Sequence, residues 1–156
     1  MSAHELLYNL SLFSELTDTE IDVIAPLCHE VAGQAGDRII EEGEPVRYLY
    51  ILLSGEVSIH KRRADGQYVA LASVGKDAVL GELTFFKFTP ASATVKATEP
   101  FKALAIDQAN LQRLLDTDSK IGSKLYKKLA LVAGKRLKTM ISQYAERVSS
   151  PEGGLS

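Results

Sequence analysis

The sequence predicts an α+β fold, mainly β, in which a β-roll lies between N-terminal helices and a long C-terminal helix. Two observations carry this prediction. Apolar residues recur every three to four positions near both ends of the chain. Between the ends, glycines separate short segments rich in β-branched and aromatic residues, at intervals of about one strand. With 156 residues and 46% hydrophobic content, the chain is long and apolar enough for one domain with a buried core.

The N-terminal segment, residues 1–29, is predicted to be helical. Thr17 and Glu20 have the spacing of a capping box, in which each side chain accepts a hydrogen bond from the other residue's backbone N–H. Leu16 and Ile21 flank it as a hydrophobic staple. A helix is therefore expected to begin at Thr17. Its apolar stripe consists of Ile21, Ile24, Ala25 and Cys28.

Residues 30–107 are predicted to form the β-roll. Asp65 and Gly66 give the strongest hairpin signal, because the turn requires a positive φ that glycine adopts at no steric cost. The segment 48–53 is apolar on both faces, which is typical of a strand covered on two sides. The strands expected here cover residues 38–40, 48–53, 57–60, 68–72, 93–97 and 101–106.

Residues 108–148 are predicted to form closing helices, with Asp107 capping the first and a long helix running from 119 to about 148. One apolar stripe of the long helix alternates steps of four and three residues, as a coiled-coil seam does. It comprises Tyr126, Ala130, Ala133, Leu137, Met140 and Tyr144. A second stripe comprises Ile121, Leu125, Leu129 and Val132. Two stripes favour packing on the domain with one and on a partner with the other, and the alternative is a helix lying wholly on its own core. Residues 149–156 are expected to be a disordered tail.

A short segment between two predicted strands has features of a binding site. After Gly81, residues 82–85 are too few for a core helix and are predicted to form a single turn. Free backbone N–H groups at such a start bind anions, and the Glu82 carboxylate suits a sugar hydroxyl. Small residues at 91–94 allow a ligand close to the next strand. On these residues alone, a tight corner of the roll with a satisfied glutamate explains the segment equally well.

The order of these parts resembles the cyclic nucleotide-binding domain shared by catabolite activator-type bacterial regulators, cyclic-nucleotide-dependent kinases and gated ion channels. The resemblance runs from Leu12 to about Tyr144, and segments 35–37, 42–45 and 50–57 match the family's roll in type and position. It implies a double-stranded β-helix or jelly roll with a long C-terminal dimerisation helix. It also implies a regulatory module, not an enzyme, that takes cyclic AMP or cyclic GMP as its ligand and needs no cofactor.

The family's phosphate-binding cassette aligns here without a gap. Gly81 and Glu82 match its glycine and its ribose-binding glutamate, whereas Thr84 stands where alanine is usual. Ala91 replaces the arginine that binds the cyclic phosphate, and losing that contact should cost on the order of 1.5 to 3 kcal/mol. The backbone N–H groups of Leu83 and Thr84 and the Ser92 hydroxyl are expected to hold a phosphate weakly. The ligand-binding residues implied by the resemblance are Gly81, Glu82, Leu83, Thr84, Ala91, Ser92 and Thr94.

Charge is distributed unevenly along the chain, although the net charge is only −2. Acidic residues dominate the first third, and the last helix is basic. Its cations are Lys120, Lys124, Lys127, Lys128, Lys135, Arg136, Lys138 and Arg147. A solvated helix face accounts for this pattern, and the alternative is contact with an acidic partner or with the acidic end of a second subunit. The basic run 61–63 beside the hairpin is expected to protect a sheet edge.

Several functional classes are excluded on composition. The small net charge argues against binding nucleic acid by charge alone, and the eight residues after Val148 are too few for a helix-turn-helix. No apolar run reaches the ~20 residues of a membrane span, so a cytoplasmic protein is expected. The only cysteine, Cys28, is expected to be a small buried group. The three histidines, His4, His29 and His60, have no metal-ligand spacing.

Two functional classes follow from the sequence. The first is a regulatory module that senses a cyclic nucleotide or a related anion and binds it weakly. The second is a scaffold of the same fold with a vestigial pocket, which acts through dimerisation and protein docking. In both cases the expected partners are a second copy of the chain and a downstream protein.

Overall fold

A computed structural model of the protein describes residues 2–86 and 89–149. The helices are α1 (Ala3–Tyr8), α2 (Asp18–Ile24), α3 (Glu82–Phe86), α4 (Gln108–Thr117) and α5 (Ser119–Ser149), and single turns of 3₁₀ helix cover Ser11–Phe13 and Ala25–Leu27. The strands are β1 (Cys28–Gly33), β2 (Arg38–Ile40), β3 (Tyr48–Ser54), β4 (Val57–Arg62), β5 (Tyr68–Val74), β6 (Val79–Leu80), β7 (Thr94–Ala97) and β8 (Phe101–Asp107). The tail predicted at 149–156 lies, apart from Ser149, outside the described residues.

The strands form two antiparallel sheets, with orders β1-β8-β3-β6 and β2-β7-β4-β5. The predicted α+β class with a β-roll is thereby confirmed. Two apolar clusters hold the roll, and β3 contributes to both because its side chains alternate between the faces of the sheet. Leu49 and Ile51 pack with the helices, and Leu52 points into the roll interior. The prediction that this strand is covered on two sides is confirmed.

Local sequence signals fix several element ends. The Thr17 hydroxyl accepts from the N–H of Glu20 at 3.2 Å, and the Glu20 carboxylate accepts from the N–H of Thr17 at 2.9 Å, so the capping box is confirmed. Asp107 caps α4 by accepting from the N–H of Asn110 at 3.0 Å, which lowers the pKa of the Asp107 carboxyl. Gly66 has a φ of +85°, as the predicted hairpin between β4 and β5 requires.

Cys28 was expected at the end of a helical stripe, and this is wrong. It is the first residue of β1, a strand that the sequence did not predict. The pairing of β1 with β8 along its whole length, from Cys28 opposite Ile106 to Gly33 opposite Phe101, overrides the weak helical pattern. Burial raises the pKa of the Cys28 thiol to about 12, so this group behaves as the apolar residue expected.

The N-terminal half of α5 is anchored to the domain. Ile121, Leu125 and Leu129 are buried among the N-terminal helices and α4, as the second stripe predicted. The Lys124 ammonium lies 2.6 Å from the Glu20 carboxylate, which links α5 to α2. Within the described part of the chain, no helix has the length and apolar character needed to cross a membrane.

Candidate functional site

A pocket of about 70 Å³ lies between the segment joining β6 to α3, the segment leading into β7, and α5. Residues from β2, β4 and the segment before β3 also contribute, so sections far apart in the sequence meet at this pocket. Its lining consists of Ile40, Val46, Ile59, Leu80, Gly81, Glu82, Thr84, Ala91, Ser92, Ala93, Val95, Arg136 and Met140.

The turn at Gly81 is held in one conformation. Gly81 has a φ of +88°, and a Cβ atom there would lie 3.1 Å from the carbonyl oxygen of Tyr48. The Thr84 hydroxyl donates to the Gly81 carbonyl at 2.8 Å. The Gln108 amide nitrogen lies 3.2 Å from that same carbonyl and 3.1 Å from the Thr84 hydroxyl. These contacts assign the Thr84 hydroxyl to the turn and leave glycine as the residue that fits position 81.

Glu82 follows this turn and begins α3. Its side chain is buried, with a relative exposure of 4% for the residue, and it lines the pocket. One carboxylate oxygen lies 3.5 Å from the guanidinium of Arg136. Burial raises the pKa of the Glu82 carboxyl, and the Arg136 charge only partly offsets that rise. The pocket therefore contains a desolvated carboxylate whose ion-pair partner belongs to another helix.

Arg136 and Met140 of α5 close the pocket, and sequence reasoning missed both as site residues. A second guanidinium nitrogen of Arg136 donates to the carbonyl oxygen of Val79 at 2.6 Å. Met140 is half-buried and packs against the apolar interior of the roll. The sequence carried no local signal for this role, since the spacing placed Met140 in a seam and Arg136 among the helix cations. Only the tertiary fold brings them to Glu82.

The segment leading into β7 is fixed through its backbone. The N–H of Ala91 donates to the carbonyl of Glu44, and the Ala91 carbonyl accepts from the N–H of Gly43, both at 2.9 Å. The Ala91 side chain is buried and lines the pocket, and Ser92 is exposed at its rim. Thr94 is not among the residues that line the pocket, and its hydroxyl accepts from the N–H of Glu42 at 3.1 Å. The predicted site residue Leu83 has its backbone in α3, and its side chain lies outside the described part.

Lys61 lies near the end of β4, beside the hairpin. Although β4 lies between β7 and β5, its pairing with β7 ends at His60 and Lys61 pairs only with β5, so protection of a sheet edge by the run 61–63 stays a prediction. The Lys61 ammonium donates to the carbonyl of Ser92, a residue that lines the pocket, at 2.7 Å. It also lies 3.5 Å from the Glu42 carboxylate. The cation therefore supports the segment that carries Ala91.

The six predicted seam residues of α5 have different environments. Tyr126 packs on the domain and donates to Asp116 at 3.0 Å, and Met140 packs on the roll. Ala130, Leu137 and Tyr144 are exposed, and Ala133 is half-buried. When the exposed residues Gly134 and Ile141 are added to the exposed seam positions, the spacing along α5 again alternates between four and three residues. We name this set the exposed seam; it consists of Ala130, Gly134, Leu137, Ile141 and Tyr144.

No group of three or more histidine, cysteine, aspartate or glutamate side chains among the described residues is arranged to hold a metal ion. The His4 ring lies 2.7 Å from the Asp22 carboxylate, and the His60 ring lies 2.8 Å from the Ser58 hydroxyl. These histidines belong to α1 and β4 respectively, and each has a local polar partner.

Comparison with known proteins gives the same architecture. The family model of the cyclic nucleotide-binding domain matches residues 31–118, which is more than half of the chain. A CRP-like cAMP-activated global transcriptional regulator of Mycobacterium tuberculosis is 26% identical over 166 residues, covering 96% of this chain and 74% of that protein. Among solved structures, a cyclic nucleotide-binding domain from Methylobacillus flagellatus superposes with a TM-score of 0.80 at 23% identity, covering 95% of this chain and 83% of that one. The N-terminal domain of a transcriptional regulator from Streptomyces coelicolor superposes with a TM-score of 0.69 at 31% identity, covering 83% of this chain and 93% of that one.

Proposed function

The chain belongs to the cyclic nucleotide-binding domain family, a family of regulatory binding domains and not of enzymes, and from this we propose that it is a sensor module that binds a cyclic nucleotide weakly. The observation that carries the proposal is Glu82. A buried carboxylate is costly unless it is paired, and among the described residues its ion-pair partner is one side chain of α5, at 3.5 Å. A ligand hydroxyl that donates to Glu82 would satisfy it better.

The chemistry of the pocket matches a ribose cyclic phosphate in two respects. Glu82 accepts the 2'-hydroxyl of the ribose, and the backbone N–H groups at residues 83 and 84 donate to the phosphate. The third element expected of the family, an arginine on the phosphate, is replaced by Ala91, so the phosphate is held by neutral donors alone. Neutral hydrogen bonds contribute roughly half as much as charge-assisted ones, and weak binding follows.

Helix α5 supplies the regulatory response. The closed pocket of about 70 Å³ is smaller than the ~300 Å³ at which ligand sites of this kind begin. A nucleotide therefore enters only when Arg136 and Met140 withdraw, and withdrawal moves α5. In this proposal the position of α5 reports whether the pocket is occupied.

Calorimetric titration with cyclic AMP and cyclic GMP tests the proposal. We expect a dissociation constant weaker than about 1 μM for the unaltered protein. Glu82→Ala should weaken binding of the ribonucleotides more than binding of their 2'-deoxy analogues, because only the former donate a 2'-hydroxyl. The matched control is Glu99→Ala, which removes a carboxylate from an exposed turn and should change neither.

Two results would contradict the proposal. If Glu82→Ala lowers the affinity for the ribonucleotides and for their 2'-deoxy analogues equally, Glu82 serves only the turn. No detectable heat at about 1 mM of either nucleotide would favour the scaffold function instead.

We further propose that the protein forms a homodimer through the exposed seam. Leu137, Ile141 and Tyr144 are 59%, 59% and 56% exposed, which is a liability for a single chain in water. Among the described residues, no atom beyond the neighbouring backbone of α5 lies within 4 Å of the position that a Cβ of Gly134 would take, so packing among them does not require glycine there. A second copy of α5 across a two-fold axis covers these residues and uses the close approach that Gly134 and Ala130 permit.

A further inference from the structure

A second and larger cavity, of about 400 Å³, lies between α5, the turn joining β5 to β6, and the 3₁₀ helix Ser11–Phe13. We name it the basic cleft, and we propose that it binds a small organic anion with an apolar body. The proposal does not depend on cyclic nucleotide binding, because the basic cleft and the nucleotide pocket share a single lining residue, Arg136.

The charge of the basic cleft is the first observation. Lys76, Lys128 and Lys135 line it, and none of the three forms an ion pair with any residue that the structure describes. Its one acidic lining residue, Asp77, is already engaged, since the carboxylate accepts from the N–H of Ser11 at 2.9 Å and also from the Ser11 hydroxyl. Asp77 keeps its charge, but the three lysines outnumber this one carboxylate, and a concave surface with an excess of positive charge concentrates anions.

The second observation is the apolar surface between these cations. Leu12 is buried at the base, Val74 and Val132 are half-buried beside it, and Leu131 is 58% exposed at the rim. Inorganic anions gain nothing from such surface. A volume of about 400 Å³, apolar walls and a few convergent polar groups are together the pattern of a small-molecule site. The fitting ligand therefore carries a carboxylate, sulfonate or phosphate on an aromatic or aliphatic body.

The basic cleft remains open in the homodimer proposed above. Its α5 residues are at positions 128, 131, 132, 135, 136 and 139, on one face of the helix. Successive residues of a helix are 100° apart, so Lys128 and Ala130 lie about 200° apart around the axis. The exposed seam is thus on the face opposite the basic cleft. A second copy of α5 at the seam does not compete with an anion in the cleft.

Fluorescence titration with 8-anilinonaphthalene-1-sulfonate tests the proposal, since this probe combines one negative charge with an aromatic body. We expect saturable binding, with amide shifts in ¹⁵N NMR spectra centred on residues 75–78 and 128–135. The double variant Lys128→Gln with Lys135→Gln should weaken binding roughly tenfold, because each lost cation is partly exposed and its contribution modest. The uncharged analogue N-phenyl-1-naphthylamine should bind at least about tenfold more weakly than the sulfonate.

The matched control is Lys127→Gln with Lys138→Gln, which removes the same charge from the same helix at exposed positions outside the cleft. It should change the affinity less than about twofold. Equal weakening by both double variants would overturn the proposal, because it would reveal general attraction to a basic helix. Shifts centred on the exposed seam or on Gly81 would overturn it as well. So would tighter binding of an oligoglutamate peptide than of the sulfonate, which would assign the cleft to a protein segment.

Discussion

Restoring the missing cassette cation is the sharpest test of the nucleotide pocket. In Ala91→Arg, the new side chain begins from a backbone that the loop at Gly43 and Glu44 holds by two hydrogen bonds of 2.9 Å. Ala91 is 6% exposed and lines the pocket, so the guanidinium is directed to the pocket and not to bulk solvent. The substitution therefore adds a cation at the place where a bound phosphate would lie.

The expected gain in affinity follows from the type of contact. A charge-assisted hydrogen bond from a guanidinium to a phosphate contributes about 1.5 to 3 kcal/mol, which is a factor of about 10 to about 150 in the dissociation constant. Arg136 is close to the same pocket, but its charge is partly neutralised by Glu82 at 3.5 Å. We therefore expect Ala91→Arg to lower the dissociation constant for the cyclic nucleotides at least about tenfold. Without ligand, the new charge is buried and unpaired, so Ala91→Arg should lower the melting temperature.

Calorimetry with cyclic AMP and cyclic GMP, together with thermal unfolding, measures both effects. The matched control is Ala91→Met, which adds length without charge and should destabilise the protein without any gain in affinity. Cyclic AMP should raise the melting temperature of Ala91→Arg more than that of the unaltered protein. A dissociation constant for Ala91→Arg within about threefold of the unaltered value would refute the reasoning, as would submicromolar binding by the unaltered protein.

Three further predictions concern assembly, pH and the turn. Leu137→Asp with Ile141→Asp should convert the proposed homodimer to a monomer in light scattering. The control Leu131→Asp changes a residue that is equally exposed but outside the exposed seam, and it should leave the dimer intact. A monomeric mass for the unaltered protein at tens of micromolar would contradict the dimer. Because burial raises the pKa of the Glu82 carboxyl above its ordinary value of 4.5, its contribution to stability is fully present below that value and is lost as the pH rises through the folded-state pKa. The melting temperature of Glu82→Gln relative to the unaltered protein should therefore be higher at pH 7 than at pH 4, and a constant difference would count against a buried carboxylate. Gly81→Ala should lower the free energy of unfolding by about 1 to 2 kcal/mol in urea titration, since φ is +88° there; no loss would show that the turn adapts.

The parts of the fold that the sequence predicted are those with local causes. The capping box at Thr17, the cap at Asp107 and the hairpin at Gly66 each depend on residues within a few positions of one another. The strands that were not predicted have no such cause. β1 is a strand because β8 pairs with it, and β6 has two residues, too few to show a period.

In the candidate site, too, the sequence predicted the residues with local signals and missed those placed by distant contacts. Gly81 and Glu82 were identified from adjacent residues and from their resemblance to the family cassette. Arg136 and Met140 belong to a helix whose periodicity is compatible with several orientations, because a long helix with two apolar stripes can turn either toward the roll. Contacts with Val79 and with the roll interior select the orientation, and these involve residues far apart in the chain.

The location of a cation decides which state of the pocket it stabilises. An arginine at position 91 would belong to the β-roll, and it would stay at the pocket wherever α5 lies. Arg136 belongs to α5, and its contacts with Glu82 and with the carbonyl of Val79 stabilise the closed pocket. A nucleotide has to break both contacts before Glu82 is free to accept its hydroxyl. Since a ligand shifts a conformational equilibrium only by its differential affinity for the two states, the same charge favours binding at 91 and opposes it at 136. The weak binding proposed above then has two causes that act in one direction: this chain has no cation at position 91, where it would favour the occupied pocket, and it has one at position 136, where it favours the closed pocket.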